Sequence, residues 1–154
     1  MSARDGATGI GPASAVADVM TREVATLDAN DNLSIADDVM ALGRIRHMPV
    51  VDADGSVVGI VSQRDLLRGA LARALGYGEH AQKKLYAMLR VKEVMSYDVV
   101  TLPPSAPLRE AARMMTERKI GSVVVVEGEK VVGILTEGDF VRLVNGEDDL
   151  AHAG

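Results

Sequence analysis

Two apolar runs rich in β-branched residues, Val57-Val58-Gly59-Ile60-Val61 and Val131-Val132-Gly133-Ile134-Leu135, each lead into a hydroxyl residue and, three positions later, an aspartate. The pattern, ending in Ser62-x-x-Asp65 and Thr136-x-x-Asp139, predicts a buried strand entering the first turn of a helix, built twice. The flanking sequence keeps the same order in both places. Val24 to Leu27 and Val99 to Leu102 read as short extended segments. Asp31 or Asn32 then caps a helix whose Leu33, Ala36 and Met40 share one face; after Ser105 and Pro107, Leu108, Ala111 and Met115 do likewise. Met48 to Val51 pairs through a hairpin with Val57 to Val61, as Ser122 to Val126 does with Lys130 to Leu135, and a second helix closes each copy near Ser62 and Thr136. The predicted class is α+β, with two β-α-β-β-α repeats.

The register of the repeat is explicit. At an offset of 75 positions Val16, Val19, Met20, Val24, Thr26, Leu27, Leu33, Ala36, Met40 and Ile45 recur unchanged. After a one-residue slip the offset is 74, and Val57, Val58, Gly59, Ile60, Asp65 and Arg68 recur. The slip falls where Asp52-Ala53-Asp54-Gly55-Ser56 faces the shorter Glu127-Gly128-Glu129-Lys130, a place where a hairpin turn absorbs a length change without disturbing its strands. The chain therefore divides into a Gly/Ala/Ser-rich leader (residues 1–15), a first repeat (16–75), a helical connector (76–90), a second repeat (91–145) and a tail (146–154). Within the connector, Gly76-Tyr77-Gly78 breaks the closing helix and Lys83 to Arg90 reads as a second amphipathic one, packed on the core or on a second subunit.

Composition removes several function classes. Hydrophobic residues make up 47% of 154 positions, enough for a core, but aromatics are only 3% and Trp is absent. An aliphatic core filled partly by eight Met residues follows, with no stacking platform for single-stranded nucleic acid. A formal charge of −5 opposes binding to nucleic acid. With no Cys and with His47, His80 and His152 far apart, neither a disulfide framework nor a metal site is expected. No apolar run approaches the roughly 18 residues of a membrane span and no secretory signal is visible, so the expected location is the cytoplasm, away from membranes. Gly9-Ile10-Gly11-Pro12 lacks the third glycine and the preceding strand of a dinucleotide fingerprint. There is no Walker loop and no nucleophile elbow, so no catalytic residue is assigned.

The chemistry concentrates at the two helix starts. Backbone N–H groups there lack intrahelical partners and can receive a phosphate or another polar ligand. Ser62-x-x-Asp65 and Thr136-x-x-Asp139 admit two readings: a capping box, or an acid held for the hydroxyls of a ribose with the Ser or Thr facing phosphate. Both stay open on the residues alone.

With Thr26, the Met48-Pro49-Val50-Val51 strand and the Val58-Gly59-Ile60-Val61-Ser62-x-Arg64-Asp65 junction in hand, each followed by a weaker copy, the chain resembles a tandem cystathionine beta-synthase (CBS) domain pair from about Val16 to Asn145. Val19-Met20 and Val94-Met95 match the family's repeat openings. The resemblance implies a two-repeat module with pseudo-twofold symmetry that binds adenosine compounds in clefts. It makes Asp65 and Asp139 the ribose-binding acids, Ser62 and Thr136 the adjacent hydroxyls, and Val24, Ala25, Thr26, Val99, Val100 and Thr101 the lining of the adenine pockets. Repeat 1 offers Arg44, Arg46, His47 and Arg64 toward phosphate, against Lys119, Gly121, Ser122 and Gly138 in repeat 2. Arg46, His47 and Arg64 are therefore expected to hold the anionic end of the ligand. The function so implied is regulatory: a non-catalytic sensor of an adenine nucleotide (AMP, ADP or ATP), working as a homodimer or through an effector protein. A structural oligomerisation module with empty clefts is the alternative.

Overall fold

The computed structural model describes residue 11 and residues 14–74 and 79–146. Two compact units emerge, one formed by Val24–Val99 and the other by Met1–Glu23 together with Val100–Gly154. Each contains a three-stranded sheet with helices, which bears out the α+β class.

In the Val24–Val99 unit, β1 (Leu27–Asp28) is followed by α1 (Leu33–Gly43), β2 (His47–Val51), β3 (Val57–Ser62), α2 (Gln63–Ala74) and α3 (Glu79–Met88). The sheet order is β1-β2-β3, with β1 parallel and β3 antiparallel to β2. The apolar faces predicted from spacing meet in one core: Leu33, Ala36 and Met40 of α1 pack with Met48, Val50, Val61 and Leu66. Of the two caps considered for α1, Asn32 is the N-cap, accepting from the Ile35 N–H at 3.0 Å. Asp31 instead accepts from the Asp28 N–H, and Asp28 in turn from the Asn30 N–H, an interlocked turn that ends β1 after two residues. Val24 to Thr26, read as extended, therefore lie ahead of the strand rather than in it. The connector helix begins at Glu79, earlier than Lys83, and ends at Met88. It buries Tyr86, and Leu89 just beyond it is buried as well, while Met88 is left 73% exposed. The Gly76-Tyr77-Gly78 break lies outside the described residues.

The second unit repeats the order with β4 (Thr101–Leu102), α4 (Leu108–Arg118), β5 (Ser122–Glu127), β6 (Lys130–Thr136) and α5 (Glu137–Asn145). Its sheet order is β4-β5-β6, with the same parallel and antiparallel pairings. The prolines at 103 and 104, which have no N–H to continue a ladder, end β4. Both hairpins are in the register that the slip implied, with Val50 opposite Gly59 and Val125 opposite Gly133, and a β-bulge follows each pair. Ser14 and Ala15, at the end of the stretch read as a leader, are held here: the Leu108 N–H donates to the Ser14 carbonyl at 2.6 Å, and Ala15 bridges to Pro107. The rest of that stretch, Gly11 apart, lies outside the described residues.

The segment that opens each repeat packs on the sheet of the other copy. Val16, Val19 and Met20 belong to the core of the second unit, and Thr21 exchanges backbone hydrogen bonds with Ile134 at 2.9 Å each way. Val91 and Met95 belong to the core of the first unit, and Ser96 pairs likewise with Ile60. Glycine makes this contact possible. A Cβ at Gly133 would stand 2.4 Å from the Met20 sulfur, and one at Gly59 would stand 2.6 Å from that of Met95.

Candidate ligand site at two helix starts

In the first unit the predicted polar residues converge where β2 begins and β3 ends. His47 stands directly across the ladder from Ser62, and the Gln63 N–H donates to the Arg46 carbonyl at 2.8 Å. Arg46 and Arg64 are exposed, and His47, Ser62 and Asp65 are half-buried. Because β1 runs parallel to β2 with Leu27 beside Val50, the residues leading into it, Val24, Ala25 and Thr26, approach from this same end of the sheet. Thr26 is exposed, and Val24 and Ala25 are half-buried.

Ser62 and Asp65 form a reciprocal capping box: the Ser62 N–H donates to Asp65 Oδ2 at 2.8 Å and the Asp65 N–H to Ser62 Oγ at 3.1 Å. The expectation that the helix-start amides stand unpaired is corrected here. Ser62, Gln63 and Asp65 all donate within the chain, so the cationic side chains, more than this row of amides, are what remain for an anion. Capping does not exhaust the carboxylate, however. Asp65 Oδ1 has no hydrogen-bond partner among the described residues, so the two readings of this motif are compatible.

The second copy differs. The Thr136 N–H donates to Asp139 Oδ2 at 2.9 Å and the Glu137 N–H to the Gly121 carbonyl, again using the helix-start amides. Asp139 Oδ1 also accepts, from Thr21 Oγ1 at 3.2 Å and from Arg142 Nη2 at 2.5 Å. The Asp139 side chain is 1% exposed and Arg142 is its ion-pair partner. Ser122 is buried, opposite Thr136 in the ladder. Thr101 is exposed, Val99 is half-buried, and Val100 is a core residue of this unit, which leaves little of its side chain for a ligand.

Sequence reasoning passed over Thr21, Ser96 and Arg142. The repeat register contained a signal for each, since Thr21 aligns with Ser96 as a pair of hydroxyls and Arg142 aligns with Arg68. Among the described residues, no group of three His, Cys, Asp or Glu stands close enough to hold a metal, and no helix is long and apolar enough to cross a membrane. The side chain of His80 and the whole of His152 lie outside the described residues.

Known proteins share this fold. The chain is 37% identical to a Vibrio cholerae protein described as an acetoin utilization protein (AcuB), with a TM-score of 0.73 over 91% of this chain and 96% of that one. It is 31% identical to the CBS domain pair of protein MJ0100, solved in complex with 5′-methylthioadenosine and S-adenosyl-L-methionine, with a TM-score of 0.71 over 88% and 99% of the two chains. A third structure, CBSX2 in complex with AMP, is 26% identical with a TM-score of 0.70 over 86% and 97%. The first curated relatives are longer: the chain spans 31% of one and 24% of the next. The CBS domain model matches residues 16–72 and again 91–146. Two matched repeats covering most of the sequence, on a fold shared with solved CBS pairs, make this chain a member of the CBS domain family.

Proposed function

We propose that this CBS domain pair is a regulatory module that binds an adenosine compound at the Asp65 helix start and performs no catalysis. One observation carries the reading: Asp65 caps its helix with one carboxylate oxygen while the other has no hydrogen-bond partner among the described residues, at an end of the sheet that also gathers Arg46, His47 and Arg64. A carboxylate oxygen so placed accepts hydrogen bonds from the vicinal hydroxyls of a ribose. Guanidinium groups beside it suit the phosphate of AMP, ADP or ATP through charge-assisted, bidentate bonds. Thr26, with Val24 and Ala25, would line the base. The complexes of related pairs with AMP and with S-adenosylmethionine support the class of ligand. The module would act by linkage, since a ligand shifts an equilibrium between two arrangements by its difference in affinity for them. The output would pass to a homodimer partner or to an effector protein in the cytoplasm.

Two substitutions separate capping from binding. Asp65→Asn retains an acceptor for the Ser62 N–H but replaces the other oxygen with a donor, whereas Asp65→Ala removes both. A hydrogen bond to a charged group contributes about 1.5–3 kcal/mol, so either change should weaken binding by about tenfold or more. Only the alanine should also lower stability, by up to about 2 kcal/mol. Calorimetry with AMP, ATP and S-adenosylmethionine beside melting curves measures both effects. Unchanged affinity in Asp65→Asn would refute the assignment.

A second reading, a structural oligomerisation module, is favoured by Leu67 and Leu71, one turn apart on α2 and 45% and 65% exposed. Sedimentation of Leu71→Glu with and without nucleotide distinguishes the two, because the structural reading requires assembly that no nucleotide alters.

A further inference from the structure

The two hydroxyl-x-x-Asp turns are chemically similar but differ in state. An ionised carboxylate has about four lone-pair sites. At Asp139 four donors approach them: Thr21 Oγ1 at 3.2 Å and Arg142 Nη2 on one oxygen, the Thr136 N–H at 2.9 Å and Thr136 Oγ1 at 3.4 Å on the other. At Asp65 there is one donor among the described residues, the Ser62 N–H. Yet the first copy has every group needed to do the same. Arg68 stands three residues after Asp65, as Arg142 stands three after Asp139, but it is exposed and its side chain has no hydrogen bond or ion pair among the described residues. Ser96, the counterpart of Thr21, accepts from the Asp98 N–H at 3.3 Å instead of donating to Asp65.

The residue just before each acid also differs. Position 138 is glycine, and the Arg142 guanidinium lies over it: a Cβ there would stand 3.3 Å from Arg142 Nη1 and 3.6 Å from Thr136 Oγ1. The equivalent position in the first copy is Arg64, whose side chain would crowd and repel a guanidinium folded back over it.

We propose that Arg142, admitted by Gly138, latches the second turn shut, so that of the two related carboxylates only Asp65 receives ligand and the module binds one adenosine compound per chain. The proposal rests on the reading of Asp65 given above. It recasts Gly138, which at first looks like a lost phosphate contact, as the residue that allows the neighbouring arginine to occupy the acid. Arg142 and Gly138 are thus specificity residues for the number of sites, and removing the latch should expose a second one.

Calorimetry with AMP, ATP and S-adenosylmethionine in turn, on the full chain, tests this. At nucleotide concentrations that fill the wild-type site but not one weakened about tenfold or more, the wild type should take up one equivalent and Asp65→Asn well short of one. Arg142→Ala should take up two, and Asp65→Asn combined with Arg142→Ala should take up one. Gly138→Arg, which leaves Arg142 in place, should also open the second site and guards against misfolding of the alanine variant. Two equivalents in the wild type, or a single equivalent in both folded latch variants, would overturn the latch while leaving the nucleotide reading intact. If none of the compounds binds any variant, the nucleotide reading fails, and the latch is then judged without ligand by arginine side-chain NMR. Slowed rotation of the Arg142 guanidinium that is released in Asp139→Asn supports it, and free rotation in the wild type overturns it.

Discussion

Replacing Gly133 by alanine tests the exchange of opening segments with a single methyl group. The added Cβ would lie 2.4 Å from Met20 Sδ, 3.0 Å from its Cγ and 3.1 Å from its Cε, so the whole end of the methionine must move. Met20 is 2% exposed and packed in the core of its unit, so its end must shift among packed neighbours and not into solvent. Overpacking of this kind costs about 1–3 kcal/mol, with the flexible thioether favouring the lower half of that range. At a urea slope of about 1–3 kcal/mol per molar, the unfolding midpoint should fall by roughly 1 M. Gly43→Ala is the control. Its Cβ would meet nothing nearer than the Ile45 side chain at 3.6 Å, and at the end of α1 it should leave stability unchanged or raise it by up to about 1 kcal/mol. The contact itself is isolated by a double-mutant cycle. Met20→Ala makes room for the new methyl, so Gly133→Ala should cost little on that background and the two substitutions should be strongly non-additive. Additive effects, or a Gly133→Ala midpoint equal to that of the wild type, would show that Met20 does not lie on Gly133 and that the first opening segment does not pack on the second sheet.

Other outcomes follow from local geometry. Asn32→Ala removes the side chain that accepts from the Ile35 N–H and should cost about 1 kcal/mol by denaturant unfolding, whereas Asn32→Asp, which keeps the acceptor, should be nearly neutral. Lys119 ends α4 in a left-handed conformation with φ of 54°, so Lys119→Gly should raise stability by about 0.5–1 kcal/mol in the same assay; a loss would contradict the strain assigned to that residue.

The fold was legible because the two copies check one another. The hairpin slip between Asp52–Ser56 and Glu127–Lys130 predicted registers that the strands adopt, and the faces of Leu33, Ala36 and Met40 and of Leu108, Ala111 and Met115 became core. The same duplication hid what is distinctive. Alignment pairs Met20 with Met95 and Gly59 with Gly133, but equivalent knobs fit equivalent holes, so nothing in the repeat itself says that Met20 seats on Gly133 rather than on Gly59. The acids were concealed in a similar way. Capping and ligand binding are not exclusive, because a carboxylate has two oxygens: Asp65 caps with one, and the other has no hydrogen-bond partner among the described residues. Arg68 and Arg142 are identical, and an identical pair in the two copies suggests a shared role. Their surroundings differ at one neighbour: position 138 is glycine, with the Arg142 guanidinium lying close over it, whereas the equivalent position 64 is arginine. In a duplicated module the informative positions are therefore the ones where the copies disagree, and a missing side chain is read best by asking which neighbour moves into its place.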